Sequence, residues 1–165
     1  MGIQASASIA DVLFDIWTET GKESTFTVAG RSMWPLIESG DKVQISHSRT
    51  GIKPGMIVAF RQNDRIVVHR VLRVYPAGKD ATLICRGDHN RHLDRRVRAS
   101  QVVGKIISIT RNERKIINVA YSYWRVVGVL IALNFKVLRL LPRKIAGSRL
   151  TRVFSLVLLR IGCYV

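Results

Sequence analysis

Met56-Ile57-Val58-Ala59-Phe60-Arg61-Gln62-Asn63-Asp64-Arg65-Ile66-Val67-Val68-His69-Arg70-Val71-Leu72-Arg73-Val74-Tyr75 is the stretch on which the fold turns. β-Branched and aromatic residues fill both arms, and Gln62-Asn63-Asp64 supplies a tip. Turn formers flank it, Lys53-Pro54-Gly55 before and Pro76-Ala77-Gly78 after. The pattern predicts a hairpin, with one strand from Met56 to Arg61 and a return strand from Arg65 to Tyr75. Alternation along the return strand sets Val67, His69 and Val71 on one face. A histidine on such a face is ordinarily a hydrogen-bonded core residue. A neutral imidazole there is also a competent base at neutral pH.

Further short strands lie on both sides of this hairpin. Ser24 to Ala29 alternates and runs into Gly30; after turns at Pro35 and Gly40-Asp41, Lys42 to Ser46 alternates again. Downstream, Thr82 to Arg86, Val102 to Thr110 and Lys115 to Val119 repeat the pattern. Short strands at such close spacing predict a mainly β domain over 24–119. In front of it, Ile9 to Thr20 carries Val12, Leu13, Ile16 and Trp17 on one helical face, so 1–23 is expected to form an N-terminal helix closed by Gly21.

The last segment, 120–165, changes character. The chain has 165 residues with 27 Lys and Arg against 11 Asp and Glu, a balance of +16, and no acidic residue follows Glu113. Apolar runs over Tyr121–Leu141 and Ser148–Tyr164 are interrupted by Arg and Lys and separated at Pro142. They are expected to form a basic amphipathic helical hairpin lying on an anionic membrane surface. The uninterrupted apolar window from Val126 to Phe135 is too short to cross a bilayer. Packing of these helices on the β domain or on a second copy is the plainer alternative.

Met1 to Ala10 lacks a basic start, and Asp11, Asp15 and Glu19 interrupt the run behind it, unlike a secretory signal. The expected location is therefore cytoplasmic and peripheral to the inner membrane, with an integral arrangement as the alternative. Cys85 and Cys163 lack metal-ligand spacing and read as idle thiols in a reducing compartment.

Chemistry gathers in three blocks. Gly30-Arg31-Ser32-Met33-Trp34-Pro35 places a serine in a turn after a strand, where Gly30 lets the backbone turn sharply and Met33 and Trp34 offer an apolar wall. His69 is the nearest candidate base. Gly87-Asp88 and Asp94 offer two carboxylates to orient it, and spacing alone leaves both open. His47 reads as part of a polar turn. His89 and His92 lie in a loop so rich in arginine that zinc is disfavoured. No metal and no organic cofactor is expected. A nucleic-acid role is suggested by charge but not favoured, because aromatics do not alternate with the basic residues.

Taken in order, Gly-x-Ser-Met-x-Pro, Gly40-Asp41, Val-Val-His-Arg-Val, Arg-Gly-Asp-x-Asn with Asp94, and Val-x-Gly-Lys resemble the type I signal peptidases. The wider superfamily also holds the LexA-like self-cleaving repressors. The resemblance runs from about Phe26 to Ile109. Histidine at position 69, where other branches use lysine, is similar to the archaeal and endoplasmic-reticulum Ser-His branch.

The resemblance implies a curled β-sheet catalytic domain and a serine endopeptidase that takes an extended peptide or precursor as an added strand. It implies Ser32 as nucleophile and, through its backbone N–H, as oxyanion donor. His69 would be the base and Asp94 the orienting acid, with Asp88 structural or the alternative acid. Met33, Val67 and Val68 would touch substrate. Gly30 stands where several members carry a second oxyanion donor, and Arg31 is bulkier than the glycine often found there. Both features favour the alternative of a catalytically inactive peptide-binding module with the same fold.

Overall fold

The computed structural model describes residues 16–17, 21–62, 65–76, 81–120, 123–124 and 126–130. Its eight strands are β1 (Glu23–Thr27), β2 (Lys42–Ser46), β3 (Ile57–Gln62), β4 (Arg65–Tyr75), β5 (Thr82–Arg86), β6 (Val97–Arg98), β7 (Val102–Arg111) and β8 (Lys115–Asn118), with one 3-10 turn at Ala99–Gln101. They form a single sheet in the order β1-β2-β7-β3-β4-β5-β6, with β8 also on β7. All the pairings are antiparallel. The mainly β class and the central hairpin follow from the alternation and the turns that bound it.

The curled sheet expected from the resemblance is not what forms. The strand order is linear, β1 and β6 stand at opposite ends and do not pair, and the sheet stays open. β6 has only two residues, too few ladder bonds to seal a closure. Apolar side chains cover both faces of the middle strand instead. Ile57 and Ala59 join one cluster with Ile45, Val43 and Ile109, while Val58 and Phe60 join another with Val71, Leu83 and Val102. Burial on both faces explains why β3 reads as a continuous apolar run.

The expected terminal helices are corrected as well. Among the described residues only Ile16–Trp17, Tyr123–Trp124 and 126–130 are α-helical, so no substantial N- or C-terminal helix is present there. The rest of both expectations, including Cys163, lies outside the described residues. What is described of the tail is tied to the sheet. Trp124 and Val127 are buried in the first cluster. The Gly128 backbone is so close to the Gly55 carbonyl that a side chain at 128 would collide with it. No helix among the described residues is long and apolar enough to cross a membrane.

Candidate active site

The turn carrying Ser32 is built from its own backbone outward. Gly30 adopts φ +111°, a conformation that L side chains rarely enter, and this reverses the chain after β1. The Ile37 N–H bonds to the Met33 carbonyl and the Trp34 N–H to the Arg31 carbonyl, which winds 31–37 into a compact turn. The Trp34–Pro35 peptide is cis. Met33, Leu36 and Ile37 are buried beneath it, Met33 at 2 % exposure, whereas Trp34 stays 37 % exposed. The apolar wall expected of this pair therefore divides, with Met33 in the core and Trp34 at the surface.

A clamp holds the far end of the turn. Asp41 Oδ2 accepts from the Glu38 N–H at 2.8 Å and from Arg111 Nη2 at 2.8 Å, and Arg111 Nη2 also donates to the Leu36 carbonyl at 3.0 Å. Gly40-Asp41, a turn and one of the motifs of the resemblance, is thus fastened to β7.

His69 lies on β4, 5 % exposed, with its ring edge-on to Phe60 at 6.1 Å. Its Nδ1 donates to Asp94 Oδ2 at 2.6 Å. The other ring nitrogen lies beside the contact between Gly87 and Ser32. A methyl group at Gly87 would sit 2.9 Å from His69 Nε2 and 2.5 Å from the Ser32 carbonyl oxygen. The His89 N–H donates to that same Ser32 carbonyl at 2.8 Å. The loop after β5 therefore touches both the serine turn and the histidine.

Of the two carboxylates left open by spacing, Asp88 faces Arg70. Arg70 Nε and Nη2 donate to its two oxygens at 2.8 and 2.6 Å, and Nη1 donates to the Gly55 carbonyl at 2.8 Å. This is a bidentate pair with both side chains buried. Arg86 sits beside it, its pKa lowered by burial, with Asp88 working in the opposite direction. Burial, with the Asp94 carboxylate adding to it, pushes the Cys85 thiol up to about 12, so Cys85 is a packing residue here. Val67 and Val68 are half-buried on β4.

A second Ser–His pair was missed by sequence reading. The Ser24 hydroxyl lies 2.7 Å from His47 Nε2, and His47 Nδ1 lies 3.2 Å from the Val103 carbonyl. Donation from Nδ1 to that carbonyl leaves Nε2 to accept from the serine. His47 is fully buried, not in a polar turn, and burial lowers its pKa. The signal was available: the alternation Val43, Ile45 continues to position 47 on the inward face.

The family model described as Peptidase S24-like matches residues 4–107, which span the serine turn, β4 and the loop carrying Asp94. No curated protein matches the chain. The family match and the Ser–His pairing support a serine-hydrolase function, and a peptidase family implies a peptide or protein substrate. Over most of its length, then, the chain belongs to the Peptidase S24-like family.

Proposed function

We propose that the protein is a serine endopeptidase of signal-peptidase type, working through Ser32, His69 and Asp94. The observation that carries this reading is the 2.6 Å bond from His69 Nδ1 to Asp94, with Nε2 turned toward the Ser32–Gly87 contact. Asp94 holds the tautomer in which Nε2 is free to accept, and it stabilises the imidazolium that forms. Ser32 Oγ attacks the scissile carbonyl while Nε2 takes its proton. The Ser32 backbone N–H stabilises the oxyanion, and Nε2 returns the proton to the leaving amine. Water repeats the sequence to release the acyl group.

The substrate reading is supported by an interrupted ladder. β4 pairs with β3 along 65–70, but β5 joins it only from Arg70 onward. The other edge of Arg65–His69 therefore lacks a β5 partner. An extended peptide adding there would run past Val67 and Val68 and present its carbonyl beside His69. We further assign 120–165, basic and without acidic residues, to an anionic membrane surface on the cytoplasmic side. Truncation after Leu130, which keeps Trp124 and Val127 in place, should abolish flotation with phosphatidylglycerol vesicles; undiminished flotation refutes that assignment.

A second reading rests on the direct 2.7 Å Ser24–His47 bond. His47 faces a carbonyl, not a carboxylate, and burial opposes its protonation, so an imidazolium gains little there. The deciding experiment is labelling by a fluorophosphonate beside cleavage of a small-residue peptide panel. Both should be lost in Ser32→Ala and in His69→Ala and kept in Ser24→Ala. Loss only in Ser24→Ala would transfer the site to the second pair. Peptide binding without any product would leave a binding module.

A further inference from the structure

We infer that the exposed arginine cluster around Tyr75 is an exosite for an acidic segment of the peptide substrate, an inference that rests on the peptidase reading above. Tyr75 is 38 % exposed, and two guanidiniums flank its ring: Arg73 Cζ lies 5.6 Å from the centroid and Arg96 Cζ 5.9 Å. Arg73 Nη1 also donates to the Tyr75 hydroxyl at 2.8 Å. The register extends the cluster across three strands, because Tyr75 pairs with Thr82 and Thr82 with Arg98. A bulge between Val71 and Arg73 shifts the strand so that Val71 packs inward while Arg73 and Tyr75 stand on the solvent side.

Among the described residues no carboxylate compensates the charge of this face. Arg73, Arg91, Arg95, Arg96 and Arg98 are all exposed, and none has a carboxylate within ion-pair distance among the described residues. Two other cations do find a carboxylate, the exposed Lys42 with Glu113 and the half-buried Arg111 with Asp41. Two like charges on one ring repel, and the ring quadrupole offsets only part of that. A carboxylate bound to both would offset that repulsion. Contact with the ring, and for Arg73 the bond to the Tyr75 hydroxyl, restricts the two guanidiniums in advance and so lowers the entropic cost of contact with an anion.

Position favours substrate as the occupant. Arg95, Arg96 and Arg98 follow Asp94 directly, so the loop that braces His69 continues into the cluster. β6 is the end strand and has two residues, a short edge for a peptide to cross on leaving the site. A single-stranded nucleic acid would want a bare aromatic ring for base stacking, and the Tyr75 ring is already engaged by arginine.

The test uses full-length Ser32→Ala protein, so that binding is read without turnover. Fluorescence anisotropy compares a labelled alternating Glu-Ala peptide with its Gln-Ala counterpart. The acidic peptide should bind about tenfold more tightly at low salt, an advantage erased near 0.5 M salt, where charges a few Ångströms apart are screened. Arg73→Gln with Arg96→Gln should erase it at low salt, and Arg96→Gln alone, on an exposed loop, should reduce it.

Equal binding of the two peptides would overturn the proposal, as would a preference that survives in the double variant. Tighter binding of an oligo-dT strand that depends on Arg73 and Arg96 would give the surface to nucleic acid and also overturn it. Cleavage of neutral peptides by the Arg73→Gln/Arg96→Gln enzyme with Ser32 intact should be unchanged. Failure of the peptidase reading would appear in that cleavage assay, and failure of the exosite in the binding assay.

Discussion

Gly87 and Ser32 approach so closely that a β-carbon on the glycine would lie 2.5 Å from the serine carbonyl oxygen. Backbone φ at position 87 is not in the left-handed region, so the requirement for glycine is one of space. Gly87→Ala should force the serine turn and His69 apart, because the same methyl would crowd His69 Nε2. A displacement of this kind costs about a hundredfold in kcat/KM. Steady-state kinetics on the folded variant check it; activity close to the parent would show that the contact is not part of the site.

Asp88 and Asp94 should fail in different ways. Asp94→Asn keeps the shape but loses the charge and the tautomer preference, and should lower kcat about a thousandfold with little change in melting temperature. Asp88→Asn leaves the buried Arg70 charge without its partner and should cost about 3 kcal/mol of stability. Urea denaturation beside peptide cleavage separates the two. An Asp88→Asn protein that is stable but inactive would reverse the assignment.

Arg111 ties β7 to the serine turn through Asp41, Glu38 and the Leu36 carbonyl. The guanidinium is partly exposed, which reduces its contribution, but Asp41 is buried and would be left without this cation. Arg111→Met should destabilise the protein by about 2 kcal/mol. Adding Asp41→Asn should recover part of that, since it removes the uncompensated charge. A double variant no better than the single would refute this coupling.

His47 sets a pH dependence of stability. Burial lowers its folded-state pKa, while the unfolded residue titrates near the ordinary value of 6.5. Below that value the unfolded chain takes up a proton that the folded one refuses, so stability falls as pH drops through 6.5 and towards the folded pKa. Urea midpoints between about pH 7.5 and 5.5 should decline in the parent and decline less in His47→Gln. Equal slopes would contradict the assignment.

Alternation and turn chemistry made most strands legible: β2 and β5 begin and end where Val43/Ile45 and Leu83/Cys85 alternate. β6 was invisible, because two residues within an arginine-rich loop carry no period, and Val97 alone marked it. Ser32 and His69 could be named from sequence. The resemblance preferred Asp94 to Asp88 as the orienting acid while spacing alone left both open; that Asp94 meets His69 and Asp88 meets Arg70 is visible only in the fold. Ser24–His47 was missed because its members lie 23 residues apart, Ser24 on β1 and His47 just past the end of β2. The open sheet was missed because strand count and spacing do not say whether the end strands meet.

The order in which the chain supplies its parts has a consequence for when the protein can act. Ser32 belongs to the β1–β2 unit, and His69 and Asp94 to the β3–β4–β5 unit; β7 pairs with both β2 and β3 and so joins them. β7 comes after all three residues in sequence. A nascent chain that has emerged only as far as Asp94 already contains Ser32, His69 and Asp94 but lacks the strand that unites their supports. On the proposed reading, the catalytic group therefore assembles only once the last central strand is inserted.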